Sequence, residues 1–333
     1  MRDLFKRVAR QSKTAIIAFK IFDNWRLKRR VNSGDIETIH GSTHLNRSVA
    51  ASLEYVNQQF SDYLTFAGIS TADLVGKNIL ELGPGDNLGV ALKFLAAGAK
   101  TVVCVDRFFS KRDPEHELAI YQSLRDTLSS SEERSRFDKA ISLDGKIKFN
   151  EEKLRNIHGN TLEALATDLA RSYTAFDLII SCAVLEEIYN PESTFVAMFE
   201  LLAPGGYLIH KIDLTDYGMF RPQGLHPLTF LTIPEHVYKR MASDSGLPNR
   251  KRLSFYVEIM KRFGCEARFL VTSILTTGRL NPPVDHKLMN FESDEASSSM
   301  LQGIQRKLAS EFKDSNRQDL MVDGLLLIAR KPA

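Results

Sequence analysis

The chain has 333 residues, of which 43% are apolar, and a net charge of +3. That is enough for one large domain or two small ones around a sizeable core. So small a net charge excludes a nucleic-acid binder built on bulk basicity, and no basic stripe interleaved with aromatics occurs beyond residue 30. Three cysteines, Cys104, Cys182 and Cys265, show no metal-site or disulfide spacing. No metal is expected, and the compartment reads as reducing and cytoplasmic.

Charge is unevenly spread. Residues 1–30 hold ten Lys/Arg against two Asp, a surplus of +8, so the rest of the chain sums to −5. The spacing of Phe5, Val8, Ala15, Phe19 and Phe22 predicts a helix with basic residues around its apolar face. One reading lays this helix on an anionic membrane surface, at the inner face of the membrane. The other packs it on the domain with its basic face in water. The longest apolar stretch, 14–22, is well short of the ~20 residues of a membrane span and lacks a signal-peptide cleavage site. An N-terminal arm at 1–45 and a domain over 46–333 follow from this pattern.

Residues 31–47 read as loop and 48–66 as a helix, with Val49, Leu53, Val56, Phe60 and Leu64 on one side. The stretch 78–89, NILELGPGDNLG, then reads as strand, tight glycine turn and helix start. Glycines at such a turn let a ligand approach the backbone, and a helix start offers free N–H groups. A second strand, 101–105, ends at Asp106, placed to accept both hydroxyls of a ribose. The pattern suits a dinucleotide or S-adenosylmethionine. Glu81 and Asp86 make the turn acidic, with no Lys or Arg near it, which favours a cationic ligand over a pyrophosphate.

Residues 107–149 are charged and mostly helical, longer than a normal connection, and read as a cap. Strands follow at 154–157, 176–182 and 207–212, then an irregular aromatic stretch at 215–252, then two final strands at 267–275 and 320–330. In the stretch 218–252, Phe220, Phe230 and Tyr238 could stack on a sugar, and Arg221, Asn249 and Arg250 could hold an anion or polyol; an ordinary helical cap is the alternative. Alternating strands and helices predict a doubly wound α/β sheet.

In this order and spacing, Glu81-Leu82-Gly83-Pro84-Gly85, the acid Asp106, the block FDLIISCAVLEEI (176–188) and the block LLAPGGYLIHKIDL (201–214) resemble a class I S-adenosylmethionine-dependent methyltransferase. The resemblance covers about residues 76–214. It implies a doubly wound, seven-stranded Rossmann-like methyltransferase sheet with helical cap insertions, here at about 107–150 and 215–252. It also implies that Glu81, Gly83 and Gly85 hold the methionine part of S-adenosyl-L-methionine. Asp106 would bind the ribose, Arg107 would lie beside the adenine, and Asn160 would meet the adenine amino group. Ser181, Cys182 and Ala183 would line the cofactor. Two departures stand out: Asn87 replaces a glycine, and Glu186-Glu187 replaces a frequent Glu-His.

Methyl transfer to a hydroxyl needs an aligned acceptor and a base for its proton. Asp213, Asp216, Tyr217, His226 and His236 follow the fifth strand, with Asp213 or His226 favoured as base. His210, mid-strand, reads first as a core histidine. The caps resemble those of methyltransferases that act on sugars of bacterial surface polysaccharides. An O-methyltransferase acting on a saccharide or other hydroxylated metabolite, lipid-linked where the arm meets membrane, is therefore expected. The alternatives are a small-molecule N-methyltransferase and a non-catalytic S-adenosylmethionine-binding module. Nucleic acid is not expected as a partner, nor is a nicotinamide dehydrogenase.

Overall fold

The computed structural model describes residues 12–39, 41–173 and 175–333. Phe5 and Val8 of the expected arm lie outside the described residues. The arm helix is α1 (Lys13–Asn32), started by Ser12, whose side chain accepts the Ala15 N–H. After a short segment comes α2 (Val49–Ala67), capped by Ser48 and stopped by left-handed Gly68.

Eight strands form one mixed sheet: β1 (Asn78–Leu82), β2 (Thr101–Asp106), β3 (Leu154–His158), β4 (Phe176–Cys182), β5 (Leu202–Asp213), β6 (Glu266–Ile274), β7 (Gly278–Asp285) and β8 (Val322–Arg330). Their spatial order is β7-β6-β8-β5-β4-β1-β2-β3. The first five run parallel, and the order reverses between β1 and β4. β8 inserts antiparallel between β5 and β6, and β7 folds back antiparallel on β6 as the edge. The count in this sheet among the described residues is eight, one more than expected. The extra strand, RLNPPVD after Gly278, carries two prolines and no apolar run, a pattern tolerated at an edge where one row of N–H groups needs no partner.

Side chains alternate across the sheet. Leu80, Leu82, Val103, Val105 and Ile179 face one core; Ile79, Val102, Cys104, Leu178 and Ile180 face the other. Both faces are covered, as a parallel sheet requires. The second core is roofed by α2, α3 (Gly89–Ala96), α4 (Pro114–Asp126) and α5 (Ser131–Ala140). On the first lie α6 (Leu162–Ser172), α7 (Pro191–Leu201), α8 (Glu235–Ala242) and α9 (Leu253–Arg262). No helix among the described residues is long and apolar enough to cross a membrane.

In the 215–252 stretch, Phe220, Phe230 and Tyr238 are buried core, not a stacking platform. Asn249 donates to the Leu185 and Ile188 carbonyls, and buried Arg250 donates to the Phe230 and Ile233 carbonyls. These groups are spent on the chain itself. Most of the segment's apolar content is what makes it a packed layer.

Candidate active site

The carboxyl ends of β1, β2 and β4 meet where the strand order reverses, the place where an open α/β sheet leaves a crevice. A cavity of about 320 Å3 opens there, lined by Glu81, Gly83, Asp106, Cys182, Val184 and Glu187 among others. A second lobe of about 260 Å3 continues from it past Asp106, Arg107, Asn160 and Leu162. The two share Gly83, Asp106, Phe108, Val184, Glu187 and Gly246, so they form one bilobed cleft.

The glycine turn differs from its sequence reading. Gly83 and Gly85 have φ of 62° and 71°, which glycine adopts without strain. A Cβ on Gly83 would sit 2.4 Å from Val184, and one on Gly85 would sit 2.6 Å from the Gly41 carbonyl oxygen. The close approach is made by the protein's own chain. The helix start is also occupied: Leu88 N–H donates to the Tyr121 hydroxyl at 2.8 Å, and Gly89 N–H to Asn87 Oδ1 at 2.8 Å. The 107–150 segment thereby braces the turn. Tyr121 donates to Glu117 at 2.6 Å, Glu117 pairs with Arg112, and Arg112 donates to the Gly85 carbonyl at 3.1 Å.

The two acids of the turn part company. Glu81 is buried on the cleft wall, with the Cys104 thiol 3.5 Å away, and burial pushes its carboxyl up to about 7. Asp86 does not reach the cleft. Its carboxylate accepts the N–H groups of His44 and Leu45, each at 2.9 Å at its shorter contact. It pins the 41–45 loop, which forms another wall through Gly41, Thr43 and His44. Asp86 is thus a loop clasp, not a charge facing a ligand.

Asp106 ends β2 with Oδ1 accepting the Phe108 N–H at 2.9 Å, and burial raises its pKa. Arg107 lines the second lobe and pairs with Asp244 at 3.5 Å. Asn160 lines the same lobe, its amide nitrogen donating to the His158 carbonyl at 3.3 Å. Cys182 and Ala183 line the cleft, but Ser181 does not. Its hydroxyl is fully buried 2.7 Å from His210 Nδ1, on the opposite face of the strand from Cys182. His210 is accordingly a core histidine, pushed down to about 3 by burial.

A third, larger cavity of about 970 Å3 adjoins the cleft and shares Tyr55, Gln59, Cys182 and Ala183 with it. Its walls come from α2, β5, the start of β8 and the β6-β7 hairpin. Asp213 lies here, its Oδ1 accepting the Thr215 N–H at 2.8 Å. Lys211 donates to Gln59 Oε1 at 3.1 Å and to Asp62. Asp216 and His226 are elsewhere. Asp216 closes a turn by accepting the N–H groups of Gly218 and Phe220. His226 accepts the Leu228 N–H at Nδ1 and meets the Met300 carbonyl at Nε2, capping a short 3-10 turn. Both satisfy backbone and leave neither cavity wall dependent on them.

Four more residues meet at the cleft, of which the sequence left Tyr55 and His44 unassigned. Tyr55 stands between the cavities, its hydroxyl 3.8 Å from Cys182 Sγ; burial first, then Cys182, raise its pKa well above the ordinary value. His44 packs edge-on to Tyr55 with ring centroids 5.3 Å apart, and burial pushes it down to about 4, so it is neutral near pH 7. Glu187, in place of the expected histidine, lines both lobes rather than lying in solvent, and burial pushes it up to about 7. Tyr217 lines the cleft with φ 53° and donates to buried Glu186 at 2.8 Å. Only the positions beside known motif residues, 187 and 217, carried a signal in the sequence.

A family model described as Methyltransferase domain matches residues 52–268. The chain belongs to the methyltransferase domain family. Its matched region is a methyltransferase domain. No curated protein matches its sequence. Among solved structures, this methyltransferase is similar to phosphoethanolamine N-methyltransferase 2 of Haemonchus contortus in complex with S-adenosyl-L-methionine, with 15% identity, 83% of this chain and 53% of that chain covered, and a TM-score of 0.40. The chain thus spans about half the length of that protein. It is similar also to a putative S-adenosylmethionine-dependent methyltransferase of Listeria monocytogenes, with 14% identity, 85% and 100% covered and a TM-score of 0.39. A third is the N-methyltransferase NodS of Bradyrhizobium japonicum, with 13% identity, 85% and 98% covered and a TM-score of 0.36.

The donor set suits the cofactor of this methyltransferase. S-Adenosylmethionine is cationic at sulfur and at its amino group. The cleft offers carboxylates from Glu81, Asp106 and Glu187, and no Lys or Arg on its first lobe. Leu82, Val105 and Leu162 give the second lobe the apolar walls a purine needs.

Proposed function

We propose that the methyltransferase modifies a hydroxyl of a polyhydroxylated, saccharide-like acceptor held in the 970 Å3 cavity. The supporting observation is the lining. Gln58, Gln59 and Asn281 supply amides, Glu54, Asp62, Asp213 and Asp323 supply carboxylates, and Arg47, Lys211 and Arg279 supply cations, with few aromatic faces. Such mixed donors and acceptors suit several hydroxyls at once, where an apolar ring would leave them unpaired.

Bound in the cleft, S-adenosylmethionine supplies an electrophilic methyl group. Glu81 and Glu187 would pair with its positive groups, and Asp106 would accept from its ribose hydroxyls. Tyr55, held protonated by its buried setting, donates a hydrogen bond at the junction and orients the acceptor oxygen. Asp213 takes the acceptor's proton. Its backbone N–H is fixed by Glu186 Oε1 at 3.0 Å, which steadies the carboxylate at the end of β5. The 41–45 loop and α2 wall the cleft.

The four carboxylates of the same cavity, Glu54, Asp62, Asp213 and Asp323, also favour a second reading, methylation of a small amine. Release of S-adenosylhomocysteine with a panel of glycosides and nucleotide sugars, set against small amines, separates the two. Turnover confined to amines overturns the saccharide reading, and cofactor binding without turnover on any acceptor supports a binding module. Asp213→Asn at full rate would remove Asp213 as base.

A further inference from the structure

Helix α1 is apolar on two faces. Ile16, Ile17 and Ile21 pack against the domain, and buried Asn24 ties the helix down by donating to the Arg240 carbonyl and Ser243 Oγ and accepting the Asp244 N–H. The outer face carries Phe19, Phe22 and Trp25, spaced by three, and they are 60%, 57% and 51% exposed. They span about 9 Å along the helix. The other exposed large apolar side chains among the described residues lie on other segments, from Ile39 to Leu288.

The surroundings of this stripe are basic. Arg26, Lys28 and Arg29 are exposed on the same helix, and Arg29 lies over the Trp25 ring at 4.9 Å. The one acid, Asp23, is paired with Arg26 at 3.2 Å. The sequence preceding the helix, residues 1–11, adds four Lys/Arg against one Asp. Aromatic side chains next to cations are the composition that settles at a headgroup boundary. Two copies meeting through this face would set like charges against each other.

We propose that the outer face of α1 docks the methyltransferase on an anionic lipid surface, with Phe19, Phe22 and Trp25 entering the headgroup layer and Arg26, Lys28 and Arg29 meeting lipid phosphates. The inner side of the same helix reaches the cofactor cleft. Leu27 lines it, and Asp244, held by Asn24, pairs with Arg107. Docking therefore holds the cleft about one helix diameter, 10–12 Å, from the lipid. The surface acts whether the acceptor is soluble or lipid-linked, so it does not rest on the acceptor proposed above.

The experiment uses the full chain and unilamellar vesicles. Trp25 is the single tryptophan, so its emission reports this face alone. Vesicles of phosphatidylcholine with about one-third phosphatidylglycerol are expected to shift the emission to the blue and to carry the protein down on sedimentation. Pure phosphatidylcholine retains about tenfold less, and added salt erodes the difference. Phe19→Ser with Phe22→Ser removes binding; Lys28→Glu with Arg29→Glu removes the preference for anionic lipid. These are surface positions, and circular dichroism of each variant checks that the fold is kept. Equal recovery on neutral and anionic vesicles overturns the proposal. So does Trp25 shielded from acrylamide in the free protein, or a dimer that Phe22→Ser breaks and vesicles leave intact.

Discussion

The Tyr55 hydroxyl lies 3.8 Å from Cys182 Sγ, at the boundary where the cofactor cleft meets the larger cavity. Both residues line both spaces. A group passed from one cavity to the other crosses this point. Tyr55→Phe keeps the ring and its contact with His44 but removes the hydroxyl. Its turnover is expected to fall about ten- to a hundredfold, with S-adenosylmethionine affinity changed less than about threefold. Single-turnover kinetics beside calorimetry measure both; an unchanged rate would show that the hydroxyl only packs.

Glu187 gives the cleft a pH dependence. Burial, with Asp106 beside it, pushes its carboxyl up to about 7, so much of it is neutral below that pH. A cationic ligand favours the ionised form. Affinity for S-adenosylmethionine should therefore rise from about pH 6 to about pH 8, by up to roughly tenfold. The rise for S-adenosylhomocysteine, uncharged at sulfur, is smaller. Glu187→Gln should make the curve shallower, Glu81, also raised to about 7, keeping the remainder. An equal slope for both ligands, or one untouched by the variant, rules Glu187 out.

Stability carries the opposite sign through Glu186. Burial raises its carboxyl to about 8, from an ordinary 4.5. The folded chain then holds a proton that the unfolded chain has lost, so this stabilising contribution is full below about pH 4.5 and disappears as pH climbs through about 8. The cost at alkaline pH is on the order of a few kcal/mol. Thermal midpoints of the ligand-free protein should fall from about pH 6 to about pH 9. Glu186→Gln, which keeps an oxygen for Tyr217 and the Asp213 N–H, should fall less steeply.

Asp86 tests whether the acidic turn acts by charge or by architecture. Asp86→Ala leaves the N–H groups of His44 and Leu45 without their acceptor and frees the 41–45 wall. Cofactor affinity should drop about tenfold although the side chain never reaches the cleft. Asp86→Asn, which keeps an acceptor oxygen, should lose less. Equal losses in isothermal titration would restore the reading in which the charge matters.

Much of this was legible in the chain itself. The alternation of apolar runs and amphipathic stretches gave the strands' places along the chain and the fold class, because each run buries on both faces. Glu81 and Asp106, read from strand ends, do lie on the cleft wall. What escaped was contact made across long sequence separations. Asp86 meets His44, Tyr121 meets Leu88, and Tyr55 meets Cys182; no local spacing encodes those pairs. His226 and Asp216 have the right chemistry, but their oxygen and nitrogen atoms are consumed by nearby backbone. Ser181 failed for parity: next to Cys182 on one strand, it points to the opposite face. The extra strand β7 escaped because its prolines and polar residues carry no burial signal.

One helix serves two occupants. Tyr55 and Gln59 sit a turn apart on α2, and each borders both cavities, while Lys211 of the far wall grips Gln59 and Asp62. Any tilt of α2 that accommodates a ligand on one side reshapes the other. Thermodynamic reciprocity then makes the two affinities move together: whatever factor the methyl donor imposes on acceptor binding, the acceptor imposes on the donor. The partition is in that sense a balance beam, and the order in which the two ligands arrive becomes a property of its pivot.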